Sequence, residues 1–260
     1  MRTSDAEIFM GLTVFDEFER KHFTALQSPQ QPRRETCMSR SNVERGPKST
    51  PTEKYYDPTC VRCPRLAGFL DQVRVKHPTY ECRPVSQFGR WNSPLLIVGL
   101  APGLHGANAT GRPFTGDHAG IMLYQTLYQF GFSSSPESYK GDDLELYGCL
   151  ITNAVKCLPP ANKPNAAEVN TCRSFLIQEL ATVPANGVVL VLGRLAHDSV
   201  VRALGSTLSK MPFRHAGELE MPDQRTLVSS YHCSRYNTQT RRLTQAMFND
   251  VFSRVKELLS

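Results

Sequence analysis

The chain has 260 residues, of which 40% are hydrophobic and 21% charged, and its formal net charge is +6. This composition is typical of a folded protein with a sizeable core and excludes a wholly disordered chain. No run approaches the ~20 apolar residues that span a bilayer, and the acidic N-terminus lacks the apolar stretch of a secretory signal. We therefore expect a cytoplasmic protein with no membrane partner, and the positive charge favours an anionic one.

Residues 1–54 differ in composition from the rest of the chain. The segment EIFMGLTVFDEFERKHF could form one short amphipathic helix. The stretch after it is rich in Pro, Ser, Gln and charge and has almost nothing to bury. We predict an N-terminal extension over residues 1–54, a short helix followed by a disordered tail, and a folded domain over residues 55–260.

Beyond the extension, four short apolar runs alternate with helical segments. The predicted strands are PLLIVGL, GCLITNAV, GVVLVLG and TLVSSY, and the predicted helices lie around 118–130, 166–182, 194–204 and 239–259. This alternation favours an α/β fold with a mainly parallel sheet covered by helices on both faces. Because ligands bind at the carboxyl ends of parallel strands, the loops after Leu100, Val155 and Tyr231 are the candidate site.

The first loop, GLAPGLHGANATGRPFTGD, contains five glycines before its first carboxylate. Glycines let a backbone pass close to a flat ligand, although an ordinary strand-to-helix connection would also explain them. Neither the Walker pattern nor G-x-G-x-x-G is present, so no phosphate loop is recognisable. Phe114 offers a face for stacking. Asp117 is either a functional carboxylate or only the N-cap of the next helix.

The other two loops place polar residues directly after apolar strands. The amide of Asn153 must find partners, either in a ligand or in a neighbouring turn. His232 could donate a hydrogen bond to a carbonyl that gains negative charge, or it could be a satisfied core residue. Three arginines follow it and could bind phosphates or simply be solvated: Arg235, Arg241 and Arg242.

Four of the eight cysteines have a spacing typical of metal ligands. They are Cys60 and Cys63 in CVRCP, Cys157 in KCLPP and Cys172 in NTCRSF. In a cytoplasmic protein, thiols or metal ligands are expected rather than disulfides. Four thiolates suit either a [4Fe–4S] cluster or a tetrahedral zinc ion, and the spacing alone does not separate the two. Three other cysteines are not expected to be ligands: Cys82, Cys149 and Cys233.

Taken together, these motifs resemble those of the uracil-DNA glycosylase superfamily, in particular the family 5 (type b) enzymes of its iron–sulfur branch. The resemblance rests on GLAPG, HGANATGRPFTGD, TNAVKCLPP and YHCSRYNTQTRRLT in this order, and it covers roughly residues 55–260. It implies a three-layer α/β/α sandwich around a mainly parallel four-stranded sheet. It also implies a monofunctional DNA repair glycosylase, which hydrolyses the N-glycosidic bond of uracil in DNA and leaves an abasic site.

The resemblance also implies roles for individual residues. Asp117 corresponds to the catalytic carboxylate and His232 to the catalytic histidine of the third motif. Phe114 corresponds to the aromatic that stacks on the extruded base, and Asn153 to the amide that reads its edge. The backbone of the first loop is implied to contact the base: Gly99, Ala101, Pro102 and Gly103. The four spaced cysteines are implied to hold a [4Fe–4S] cluster that fastens the fold.

Two positions depart from the family pattern: Gly103, where alanine is more common, and Cys233, where proline is more common. Cys233 could loosen the loop that enters DNA, which keeps open a catalytically weak protein that binds DNA damage. A nucleotide hydrolase is a third hypothesis, disfavoured by the missing phosphate loop. We expect a monomer acting on DNA with uracil or other deaminated bases, nucleoid-associated if the organism is bacterial.

Overall fold

The computed structural model describes residues 56–221 and 223–260. The predicted N-terminal extension, residues 1–54, lies outside the described residues. Within the described ranges, no helix combines the length and apolar character needed to cross a membrane.

The centre of the fold is a six-stranded mixed sheet in the order β1-β3-β2-β4-β6-β5. The strands are β1 (Phe88–Gly89), β2 (Leu95–Gly99), β3 (Cys149–Asn153), β4 (Val188–Leu192), β5 (Gly217–Glu220) and β6 (Thr226–Ser230). The four inner strands are parallel, and the two edge strands pair with them antiparallel. The prediction of four parallel strands is thus confirmed for the inner sheet, and two short edge strands extend it.

Helices and one short turn of 3-10 helix connect the strands. They are α1 (Pro64–Lys76), α2 (Ala107–Thr110), α3 (His118–Gln129), the 3-10 turn (Pro160–Asn162), α4 (Ala166–Leu180), α5 (Arg194–Ala203), α6 (Arg235–Gln239) and α7 (Gln245–Leu258). The four predicted helices correspond to α3, α4, α5 and α7. The last begins at Gln245 rather than at 239, because the Thr244 side chain caps it by accepting a hydrogen bond from Met247 N–H.

Apolar cores cover both faces of the sheet, as expected for a three-layer α/β/α sandwich. Side chains alternate along β2, so Leu95 and Ile97 pack on one face while Leu96 and Val98 pack on the other. The first face is covered by α3 and α7, and the second by α4 and α5. All five residues of β2, β3 and β4 are buried, which explains why these strands read as continuous apolar runs.

The parallel register brings the three candidate loops to one edge of the sheet. Gly99 at the end of β2 is paired with Asn153 at the end of β3, and β4 and β6 end together at Leu192 and Ser230. The chain therefore leaves β2, β3 and β6 on the same side, where the site is found.

Candidate active site

A cavity of about 350 Å³ opens at the carboxyl edge of the sheet. It brings together residues from all three candidate loops. The predicted site residues in its wall are Ala101, Gly103, Phe114, Asp117, Asn153, His232 and Arg235. Four others do not line it: Gly99, Pro102, Arg241 and Arg242. The convergence of a carboxylate, an amide and an imidazole on one cavity, from loops far apart in sequence, is the central feature of the site.

Two glycines of the first loop make room for the protein's own site residues. A Cβ at Gly99 would lie 2.4 Å from Asn153 Oδ1 and 2.6 Å from Phe114 Cζ. At Gly106, a Cβ would lie 2.5 Å from Asp117 Oδ2. The sequence predicts that such glycines let the backbone pass close to a ligand. In the structure, these two also make room for side chains of the site, which could not reach the same positions past a methyl group.

Asp117 is both the N-cap of α3 and part of the cavity wall. Its Oδ1 accepts a hydrogen bond of 3.1 Å from Gly120 N–H, which stabilises the first turn of the helix. Its Oδ2 makes no hydrogen bond with any described residue and lies against Gly103 and Gly106. The two interpretations of this residue are therefore compatible, since one carboxylate oxygen caps the helix and the other is available to a ligand.

Phe114 has a left-handed backbone with φ of 55° and is only 6% exposed. For a bulky residue this conformation costs about 1–3 kcal/mol, so the surrounding structure must hold it. Tyr124 OH donates to the carbonyl of Pro113 at 2.9 Å, and Thr110 Oγ1 donates to the carbonyl of Thr115 at 3.2 Å. The aromatic ring is thereby fixed in the cavity wall.

Asn153 is the last residue of β3 and is 4% exposed. Its side-chain amide makes no hydrogen bond with any described residue, while its backbone carbonyl accepts one of 2.9 Å from Lys156 Nζ. A nearly buried amide that is unpartnered on the cavity side offers one acceptor and two donors to a ligand.

His232 lies in the cavity wall beside Phe114. The two rings stack with centroids 6.0 Å apart and an interplanar angle of 28°. Burial lowers the pKa of His232 below its ordinary value, and the nearby Asp117 carboxylate acts in the opposite direction. The lowered pKa keeps the imidazole neutral at pH 7, so that it can still donate one N–H.

The arginines of the third motif differ in their placement. Arg235, at the start of α6, lines the cavity. Arg242 does not, but its guanidinium lies 4.7 Å from the centroid of the Tyr231 ring. Arg241 is exposed on the same segment. Only the first of the three is therefore placed to contact a ligand inside the cavity.

Six further residues of the cavity wall were not predicted from the sequence. They are Leu100, Ala107, His118, Ala119, Asn162 and Ser234. His118 Nε2 lies 2.9 Å from Thr238 Oγ1, which joins the start of α3 to α6. A signal for this residue was available, since it directly follows Asp117.

A second cavity is lined by all four cysteines that have ligand spacing: Cys60, Cys63, Cys157 and Cys172. Lys156 N–H donates to Cys172 Sγ at 3.3 Å, and Arg62 Nε–H donates to Cys60 Sγ at 3.5 Å. Burial raises the pKa of Cys157 to about 12, and the three neighbouring thiols add to the rise. Three separate segments thus bring four sulfur atoms to one place.

The described residues contain no group of three or more His, Cys, Asp or Glu side chains placed to hold a single metal ion. In a tetrahedral zinc site with Zn–S bonds of ~2.3 Å, the sulfurs would lie about 3.8 Å apart. The four thiols instead border a shared cavity without forming such a compact site.

The cysteines not expected to be ligands are free and buried, and none of them lines the second cavity: Cys82, Cys149 and Cys233. Cys233 is fully buried in the core formed with α3 and α7. The departure at this position therefore places a thiol among apolar core residues.

Comparison with known proteins identifies the family of the chain. Residues 86–256 match the family model of the uracil DNA glycosylase superfamily. A type-5 uracil-DNA glycosylase of Thermus thermophilus is 45% identical over 204 residues, which cover 76% of this chain and 93% of the relative. One from Pyrobaculum aerophilum is 41% identical over 200 residues, covering 75% and 87%. A type-4 uracil-DNA glycosylase of Archaeoglobus fulgidus is 33% identical over 109 residues, covering 42% and 47%.

Proposed function

The chain belongs to the uracil DNA glycosylase superfamily, and from this premise we propose that it is a monofunctional uracil-DNA glycosylase. It hydrolyses the N-glycosidic bond of uracil in DNA, releases the free base and leaves an abasic site. The supporting observation is the single cavity lined by Asp117, Asn153 and His232. A glycosylase cannot reach this bond within the base stack, so it extrudes the nucleotide into such a pocket.

Asp117 supplies the carboxylate for the reaction. Breaking the bond leaves positive charge on the sugar and negative charge on the departing base. With Oδ1 engaged in capping α3, Oδ2 is the oxygen that stabilises the sugar cation and orients the attacking water. General-base assistance of this kind is worth about 10²–10⁴-fold in rate.

Other groups in the wall of the same cavity recognise the base. The amide of Asn153 matches the O4 acceptor and the N3–H donor of uracil. Phe114 stacks on the ring, and the neutral His232 donates a hydrogen bond to the oxygen that gains negative charge. The backbone of the first loop completes the wall through Ala101 and Gly103, and Gly99 packs against Asn153 and Phe114.

The remaining features fit a DNA substrate. Arg235 lies at the cavity, and Arg241 and Arg242 follow on an exposed segment, where they would bind phosphates. Other deaminated bases are further candidate substrates of the same pocket. We infer that residues 55–260 form the catalytic domain and that the protein acts as a monomer in the cytoplasm, on the nucleoid in a bacterium.

We also propose that the four clustered cysteines hold a [4Fe–4S] cluster. The donor set is entirely sulfur, all four side chains line one cavity, and Lys156 and Arg62 direct N–H groups at two of the sulfurs. Four thiolates suit either a [4Fe–4S] cluster or zinc, and the resemblance to the iron–sulfur branch of the superfamily selects the cluster. When bound, the cluster would cross-link the segments around residues 60, 157 and 172.

The function is tested on duplex DNA containing one uracil, with cleavage at alkali-sensitive abasic sites as the readout. We expect the wild type to release uracil and Asp117→Asn to do so about 10²–10⁴-fold more slowly. Asparagine also caps helices well, so this variant should fold. Asp71→Asn is the control, because Asp71 is an exposed carboxylate on α1. Zero activity in both the wild type and Asp117→Asn would favour a DNA-damage-binding protein instead.

A further inference from the structure

Lys156 and Glu179 form an ion pair in the interior, with side chains 2% and 0% exposed. The ammonium lies 2.7 Å from both carboxylate oxygens. Removing two charges from water is costly, and well-packed apolar residues of similar volume are often equally stable. Fold stability alone is therefore a poor explanation for this pair.

The remaining hydrogen bonds of the ammonium are directed at the end of β3. Lys156 Nζ donates to the backbone carbonyl of Asn153 at 2.9 Å and to Thr152 Oγ1 at 2.5 Å. Thr152 Oγ1 in turn lies 3.0 Å from Glu179 Oε1. The pair thus joins the last peptide of the strand to helix α4, which carries Glu179.

This peptide determines where the amide of Asn153 lies. The side chain makes no hydrogen bond with any described residue, so no polar contact with the protein orients it directly. Its position is set by the backbone and by the close approach of Gly99, past which the amide enters the cavity. A shift of the Asn153 carbonyl would therefore move the amide relative to the base.

We propose that Lys156, paired with Glu179, is a positioning residue for base recognition, which holds the Asn153 peptide so that its amide meets the edge of uracil. This inference rests on the proposed function. It assigns Lys156 no contact with substrate, since its ammonium is surrounded by Thr152, Asn153 and Glu179.

A double-mutant cycle tests the proposal. The apolar pair Lys156→Met with Glu179→Met is made in the wild type and in Asn153→Ala, and single-turnover release of uracil is measured in all four proteins. We expect the apolar pair to slow release about 10- to 100-fold in the wild type, as a displaced binding group does. In Asn153→Ala it should change the rate less than about twofold, because its effect passes through the missing amide.

Two further readouts separate positioning from a general structural role. Binding to DNA that already contains an abasic site should be unchanged, because that product lacks the base that Asn153 reads. The iron content should also match that of the wild type. The control is the apolar pair Arg254→Met with Glu218→Met, which removes an ion pair of 2.8 Å between α7 and β5 whose residues line neither cavity. This control should keep the wild-type rate.

The possible outcomes are distinct. An equal slowing by the apolar pair with and without Asn153, or no slowing at all, overturns the proposal. If the apolar pair does not fold, Lys156→Gln with Glu179→Gln goes through the same cycle, and failure of both to fold assigns the pair a structural role instead. A wild type that releases no uracil contradicts the proposed function rather than this inference.

Discussion

The two cavities differ in how far their polar groups are already engaged. In the cavity at the carboxyl edge of the sheet, which we call the base cavity, the amide of Asn153 and Oδ2 of Asp117 make no hydrogen bond with any described residue. In the cysteine cavity, backbone and side-chain N–H groups already point at the sulfurs of Cys172 and Cys60. Unsatisfied polar groups suit a ligand that binds and dissociates, whereas donors that are already oriented suit a permanently bound group.

The difference matters because one short loop serves both cavities. Asn153 lines the first cavity, and Cys157, four residues later, lines the second. Changes in the cysteine cavity should therefore affect mainly folding, and changes in the base cavity mainly chemistry. The following predictions test this division.

The largest expected effect is on stability, from Cys157→Ser. The wild type should be brown and contain about four iron atoms per chain, and the variant should lose the iron. Its free energy of unfolding in urea should fall by several kcal/mol, because metal-binding energy is also folding energy. Cys149→Ala is the control, since Cys149 is buried in β3 away from the cavity, and it should keep its iron. A colourless wild type with one zinc ion would reject the iron–sulfur proposal.

The next largest effect is on chemistry, from Gly99→Ala. The added methyl group would lie 2.4 Å from Asn153 Oδ1 and 2.6 Å from Phe114 Cζ, so both groups must move. Uracil release should slow by about 100-fold, while the iron content stays unchanged. Gly68→Ala is the matched control, because a Cβ there meets nothing within 4 Å. An unchanged rate in Gly99→Ala would contradict the placement of these two side chains.

The smallest effect is a pH dependence of stability at His232. Burial lowers its pKa, so the unfolded chain binds a proton at a higher pH than the folded protein does. Below about pH 6.5, the ordinary pKa of histidine, the free energy of unfolding of the wild type should therefore fall, by up to about 1.4 kcal/mol per pH unit. Relative to His232→Asn, the wild type should lose stability in urea unfolding between pH 7 and pH 5. The wild type should also lose stability relative to His215→Asn over this range, since burial lowers the pKa of His215 as well. A constant difference across this range would mean that His232 is well hydrated.

The inner part of the fold was predictable because its strands are long apolar runs. The edge strands were not, since β1 has two residues and β5 reads GELE, with alternate residues exposed. Helix α1 could have been found, because its buried residues Leu66, Leu70 and Val73 follow helical spacing. The very short helices α2 and α6 have too few residues to show a period.

The site residues that belong to sequence motifs could be predicted, whereas those brought together only by tertiary packing could not. Asp117, Asn153 and His232 stand in recognisable motifs, and the structure brings them to one cavity. The pairing of Lys156 with Glu179 could not be predicted, because nothing in a sequence marks two charges 23 positions apart as partners. The glycines of the first loop are visible in the sequence, but their role is not, since only the folded loop shows which side chains they make room for.

The sheet edges have a consequence for the behaviour of the protein at high concentration. A bare strand edge would invite another chain to add to it and begin aggregation. Here one edge strand is only two residues long, and the other bears Glu218 and Glu220, with Glu218 paired to Arg254 of α7. Such edges offer a second copy little to pair with, and the protein should stay dispersed when it is concentrated.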